Sequence, residues 1–108
     1  MNASVQYTNV NISDLARLDY FARKRFEFIC NCNKEMYEYL IAEGMLMDYL
    51  NEVQIEANQM YEKVIEVYVN NWNVDGQMKK TNPAKWCELM KVIDSEAKLF
   101  VLNEIIYR

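Results

Sequence analysis

The sequence predicts an all-α protein, a small helical bundle built on an antiparallel pair of long helices with two shorter N-terminal helices packed on it. Three observations carry that expectation. Two glycines and one proline in 108 residues leave little material for turns. Apolar residues recur at steps of three and four along most of the chain, the period of a helix face and not of a strand. A length of 108 residues with 52% hydrophobic content suits one domain with one core.

Taken in order, residues 1 to 12 are polar and asparagine-rich, and they read as a flexible or extended arm. Ser13 can cap a first helix, with Asp14 in the first turn where the helix dipole favours an anion. Leu15, Leu18, Ala22, Phe26 and Ile29 then gather on one side as its core face. Asn31 and Asn33 around Cys32 mark a break. Met36, Tyr37, Leu40 and Ile41 form a second, short helix, and Gly44 suits its C-terminal cap.

The third helix is the clearest element. Leu46, Leu50, Val53, Ala57, Met60, Val64, Val67 and Asn71 alternate steps of four and three, a heptad seam. It runs to about Trp72, roughly 40 Å of helix. A connection from Asn73 to Thr81 follows. Asn82 and Pro83 restart the chain as N-cap and first helical residue. Trp86, Leu89, Met90, Ile93, Ala97 and Phe100 line the seam of the last helix, which should lie antiparallel to the third.

From Leu99 to Tyr107 the last helix is apolar on every side, so one partner helix cannot bury it. Either other helices of the same chain surround Leu99, Leu102, Ile105, Ile106 and Tyr107, or a second copy does; these five are the candidate self-association residues of a homodimer. Glu104 falls on the line of Trp86, Ile93 and Ala97, which places a carboxylate in the seam, where it needs an Arg or Tyr donor.

Several function classes are disfavoured by what the chain lacks. It contains no histidine, the usual recruit for acid–base and nucleophilic catalysis. Cys30, Cys32 and Cys87 make an odd set without zinc or redox spacing, and read as three buried or half-buried thiols of a reducing, cytoplasmic compartment. Ser95 and Lys98 match an SxxK pattern in mid-helix with no second motif, a coincidence. Glu35 with Glu38, and Glu62 with Glu66, read as solvated acids and not as cation ligands. No run approaches a membrane span, and the start has no export signal. The expectation is a non-enzymatic protein without cofactor or metal, acting by binding.

The net charge of −4 is unevenly placed: residues 1–34 carry +2, 35–75 carry −8 and 76–108 carry +2. On the third helix Asp48, Glu52, Glu56, Glu62 and Glu66 fall opposite the heptad seam, with Ile55 among them. A solvated face explains the acids alone. An apolar residue within the row points to a contact surface for a basic, nucleic-acid-handling protein. Arg17, Arg23, Lys24 and Arg25 form the alternative, a DNA-contacting face. Consecutive helical residues point about 100° apart, so that footprint is thin.

The stretch Lys34 to Leu46, followed by Tyr49-Leu50-Asn51-Glu52-Val53 and Ala57, resembles the TnpV family of transposon-encoded proteins. So do Asn73-Val74-Asp75, Pro83-Ala84-Lys85-Trp86, Met90, Ala97 and the closing Val101-Leu102-Asn103-Glu104-Ile105-Ile106-Tyr107. The N-terminal third is less similar: only Arg23-Lys24-Arg25 with Phe26 and Phe28 stand where such families carry an arginine-rich segment. The resemblance implies a mobile-element setting and supplies no catalytic residues. The expected role is that of an accessory protein binding a recombinase or a CRISPR effector nuclease, in the latter case as an anti-CRISPR-type inhibitor. An excisionase-like DNA-binding factor and a self-associating structural protein are the alternatives.

Overall fold

The computed structural model describes residues 12–108; the arm expected over residues 1 to 12 falls almost wholly outside them. Every regular element among the described residues is helical: α1 (Ile12–Ala16), α2 (Tyr20–Cys32), α3 (Lys34–Ala42), α4 (Leu46–Asn71), α5 (Gly76–Thr81), α6 (Pro83–Val101) and a π-helical turn, Leu102–Ile106. The expected all-α architecture is observed. The molecule is a rod with extents of 54 × 23 × 21 Å.

The first expected helix is two. Asp19, and not Ser13, caps the long segment: its Oδ1 accepts from the Ala22 N–H at 3.0 Å, and its own N–H donates to Gln54 Oε1 at 2.9 Å. Asn58 Nδ2 donates to the other carboxylate oxygen. Asp19 thus starts α2 and fastens that start to the middle of α4.

Asn33 serves α2 and α3 together. Its N–H donates to Ile29 O and its side chain accepts from Met36 N at 3.2 Å. Gly44 closes α3 at φ +67°, with Gly44 N donating to Ile41 O and Met45 N to Leu40 O, the paired bonds of a Schellman cap. Asn73 closes α4 in the same way at φ +53°, with Val74 N donating to Val69 O and the Val74 side chain buried. The expected connection from Asn73 to Thr81 contains the unforeseen short helix α5, capped by Asp75 on Met78 N. Asn82 caps α6 on Lys85 N, as its place before Pro83 predicts.

α4 and α6 run antiparallel. Near one end Val53 and Ala57 share a buried cluster with Val101, Ile105 and Ile106. Further along α4, Tyr61 donates to Asp94 of α6. α2 lies against the first half of α4, and Ala22, Phe26, Ile29, Leu40, Leu46 and Leu50 are buried together there with α3.

Past Val101 the helix widens. Tyr107 N donates to Leu102 O at 2.9 Å, five residues back, so this turn holds one residue more than an α-turn. Later positions lag behind the α-helical line. Ile105 and Ile106 both arrive at the core, and Glu104, expected in the seam, is turned to solvent. The thiols are also redistributed: Cys30 is buried, whereas Cys32 and Cys87 are exposed.

Candidate functional site

α4 is unbroken for 26 residues, so positions at helical spacing keep one bearing along about 39 Å of axis. Asp48, Glu52, Glu56, Glu62 and Glu66 are all exposed along it. Ile55 stands among them at 60% exposure. Arg108 Nη2 lies 3.6 Å from Glu56 Oε2, an exposed ion pair that offsets one of the five charges only weakly. Gln59 and Asn70 are exposed on the same side. The row is a negative edge with one apolar group, Ile55, and one cation, Lys63, also exposed.

The basic residues just after α1 and on α2 are not gathered. Arg25 is 8% exposed: its Nη1 donates to Ile106 O at 2.8 Å and to Arg108 O at 3.1 Å, and its Nε to the Tyr49 hydroxyl at 2.8 Å. Burying a guanidinium is tolerable only with its donors satisfied. Here it holds the main-chain oxygens at the end of the π-helical turn and just beyond it to α2 and α4. The donor expected for Glu104 exists, but it serves these carbonyls. Arg25 is therefore withdrawn from any DNA-contacting face. Arg23 donates to Ala16 O at 3.0 Å, and Lys24 sits 3.9 Å from Glu27; Arg17 is exposed.

The self-association candidates also divide. Ile105 and Ile106 are buried within the chain, so they are not available to a second copy. Leu102 is half-buried, and Tyr107 packs on Phe28. Leu99 remains 54% exposed.

A groove missed by sequence reasoning opens on the flank of the α4–α6 pair. It encloses about 580 Å³ and is lined by Met60, Lys63, Val64, Val67, Tyr68, Trp72 and Phe100, together with Asn71. Val67 and Phe100, both expected in seams, are 56% and 47% exposed. The reason is reach: α2, at 13 residues, spans only about 20 Å of the roughly 40 Å of paired helix. On the opposite flank, partial burial and then the hydrogen bond to Asp94 push the Tyr61 hydroxyl up to about 12. The same hydrogen bond, helped by Lys98 at 3.0 Å and opposed by partial burial, lowers Asp94. This is a positioned surface contact between α4 and α6.

Among the described residues no group of three cysteine, aspartate or glutamate side chains is placed to hold a metal ion. No described helix is long and apolar enough to cross a membrane.

An all-helical rod with an exposed acidic edge and an open apolar groove defines a class of protein whose features are surfaces. The model of the family described as transposon-encoded protein TnpV matches residues 4–106, nearly the whole chain, and the chain belongs to that family. No curated protein and no solved structure matches it.

Proposed function

We propose that this chain is a non-enzymatic accessory protein of a mobile element that binds a nucleic-acid-handling protein and changes its activity. The contact surface is the acidic edge of α4, formed by Asp48, Glu52, Ile55, Glu56, Glu62 and Glu66. The observation that supports this most is Ile55, 60% exposed in the middle of an otherwise polar, mostly acidic face. Solvation alone gives no reason for an apolar group there, whereas an interface uses one as an anchor within a polar rim. Negative charge spread along one rigid helix steers and orients a basic partner. Proteins that grip nucleic acid carry such basic surfaces, and a recombinase or a CRISPR effector nuclease is the kind of target that the transposon setting makes accessible. Inhibition would follow if the acidic edge occupied the partner's phosphate-binding track.

Nothing observed favours the excisionase-like alternative, since Arg25 is committed to main-chain oxygens. The test is affinity capture from host lysate with the wild type and with a Glu52→Lys/Glu62→Lys double variant, read by mass spectrometry. A nucleic-acid-handling protein captured by the wild type and lost from the variant is the expected result. The same protein captured equally by both would reject the acidic edge. Ile55→Asp should weaken capture without altering the circular dichroism spectrum.

A further inference from the structure

We propose that the groove on the α4–α6 flank is the interface of a two-fold dimer, occupied by the same face of a second copy. A two-fold interface needs a patch that complements itself, and this face has both halves of such a patch. Beside the groove, α6 carries Val92 and Leu99, 43% and 54% exposed, with Glu96 exposed between them. The steps of four and three put the three residues on one side of the helix, as a ridge. Phe100 stands four residues after Glu96, next to it on the helix surface, and lines the groove, so ridge and groove are neighbours. Rotation about an axis near Phe100 lays the ridge of each copy into the groove of the other.

Charge points to the same occupant. Lys63 is the only ionisable group lining the groove other than the Tyr68 phenol, and Glu96 is the only one on the ridge. Neither makes an ion pair among the described residues. Seating the ridge brings Glu96 of one copy towards Lys63 of the other, twice by symmetry. A like-charged pair at those positions would instead repel.

The exposed apolar area is close to that of a standard interface. Val67, Trp72, Val92, Leu99 and Phe100 are each about half exposed, which amounts to about 400 Å² of apolar surface per copy. A standard interface takes about 800 Å² from each partner, and somewhat over half of that is apolar, about 450 Å². Ile55, Asp48 and Glu62 bear away from the line of Met60, Val64 and Asn71 that faces the groove, so dimerisation leaves that part of the acidic edge uncovered. The dimer presents two such edges, which raises avidity for a partner with two basic sites.

Sedimentation of the purified chain tests this directly. The wild type should sediment at twice 12.9 kDa and dissociate on dilution, with the summed emission of Trp72 and Trp86 shifting to the red as Trp72 becomes exposed. Val67→Lys and Phe100→Asp should each give a monomer with unchanged helical content. Lys63→Glu and Glu96→Lys should each weaken the dimer at least tenfold, and the two together in one chain should restore it, a rescue that loss of folding cannot imitate. A wild type that stays monomeric at the highest concentration reached would overturn the proposal. So would a dimer indifferent to Val67→Lys and to both charge reversals.

Discussion

The two halves of α4 carry one heptad pattern and meet different surroundings. From Leu46 to Ala57 the seam is buried beneath α2, α3 and the π-helical turn. From Met60 to Asn71 the same register faces only α6, and exposure rises until Val67 and Asn71 lie open. The difference is one of supply: residues 13 to 44 fold into helices that cover one end of the rod and no more. A heptad pattern therefore states that a seam needs covering and leaves open which chain provides the cover.

The comparison can be broken most forcefully by truncation. Leu50→Ala, at a fully buried site, should destabilise by about 3 kcal/mol, whereas Val67→Ala in dilute protein should change stability by about 0.5 kcal/mol or less. Urea unfolding measures both, and equal effects would mean that the two halves of α4 are equally packed. Arg25→Met should cost about 2 kcal/mol by leaving buried Ile106 O without its donor. Tyr49→Phe, which removes one hydrogen bond to the same guanidinium, should cost about 1 kcal/mol.

The caps at the two ends of the first two-helix turn and the hairpin sharpen the comparison with smaller effects. A side chain at Gly44 meets nothing within 4 Å, so Gly44→Ala registers only the left-handed backbone, about 1 kcal/mol of destabilisation. Asn73→Gly, at the equivalent position after α4, should stabilise by about 0.5 kcal/mol. Thermal melts of the pair read both signs.

The pH dependence of the Tyr61–Asp94 contact is smaller again, because both groups are partly solvated. Asp94 is lowered in the folded state, so its contribution is present above the ordinary carboxylate value of 3.8 and is lost as pH falls through the folded value. Tyr61 is raised, so its contribution is present below 10.0 and is lost as pH rises towards about 12. Tyr61→Phe should flatten the stability profile in both windows. Unchanged slopes in unfolding titrations would show that the contact contributes nothing.

Cys30 gives a probe of the closed end without mutation. Burial, then the Glu27 carboxylate, pushes its thiol up to about 11, while Cys32 and Cys87 are exposed. Alkylation at mildly alkaline pH should label those two quickly and Cys30 only at the rate of opening.

What could be read from the sequence follows from how local each signal is. The span of α4 and the Asn82-Pro83 restart are written in contiguous residues, and both are observed, with the seam buried from Leu46 to Ala57. The break at Asp19 was hidden because Leu15, Leu18 and Ala22 continue a helical period across it, and Asp19 acts as a cap only once Gln54 and Asn58 are beside it. The π-helical turn has no sequence mark, yet it decides that Ile105 and Ile106 are buried and Glu104 is exposed. Arg25 reads as one member of a basic run; its role depends on carbonyls 81 and 83 residues away. The acidic edge was legible from spacing alone, whereas the groove required knowing how far α2 and α3 reach.

Residue-resolved hydrogen exchange in dilute protein tests the division of α4 most directly. Amides from Leu50 to Ala57 should exchange only through global unfolding, and those from Val64 to Asn71 through local opening at least a hundredfold faster. Equal protection along the whole helix would contradict the division.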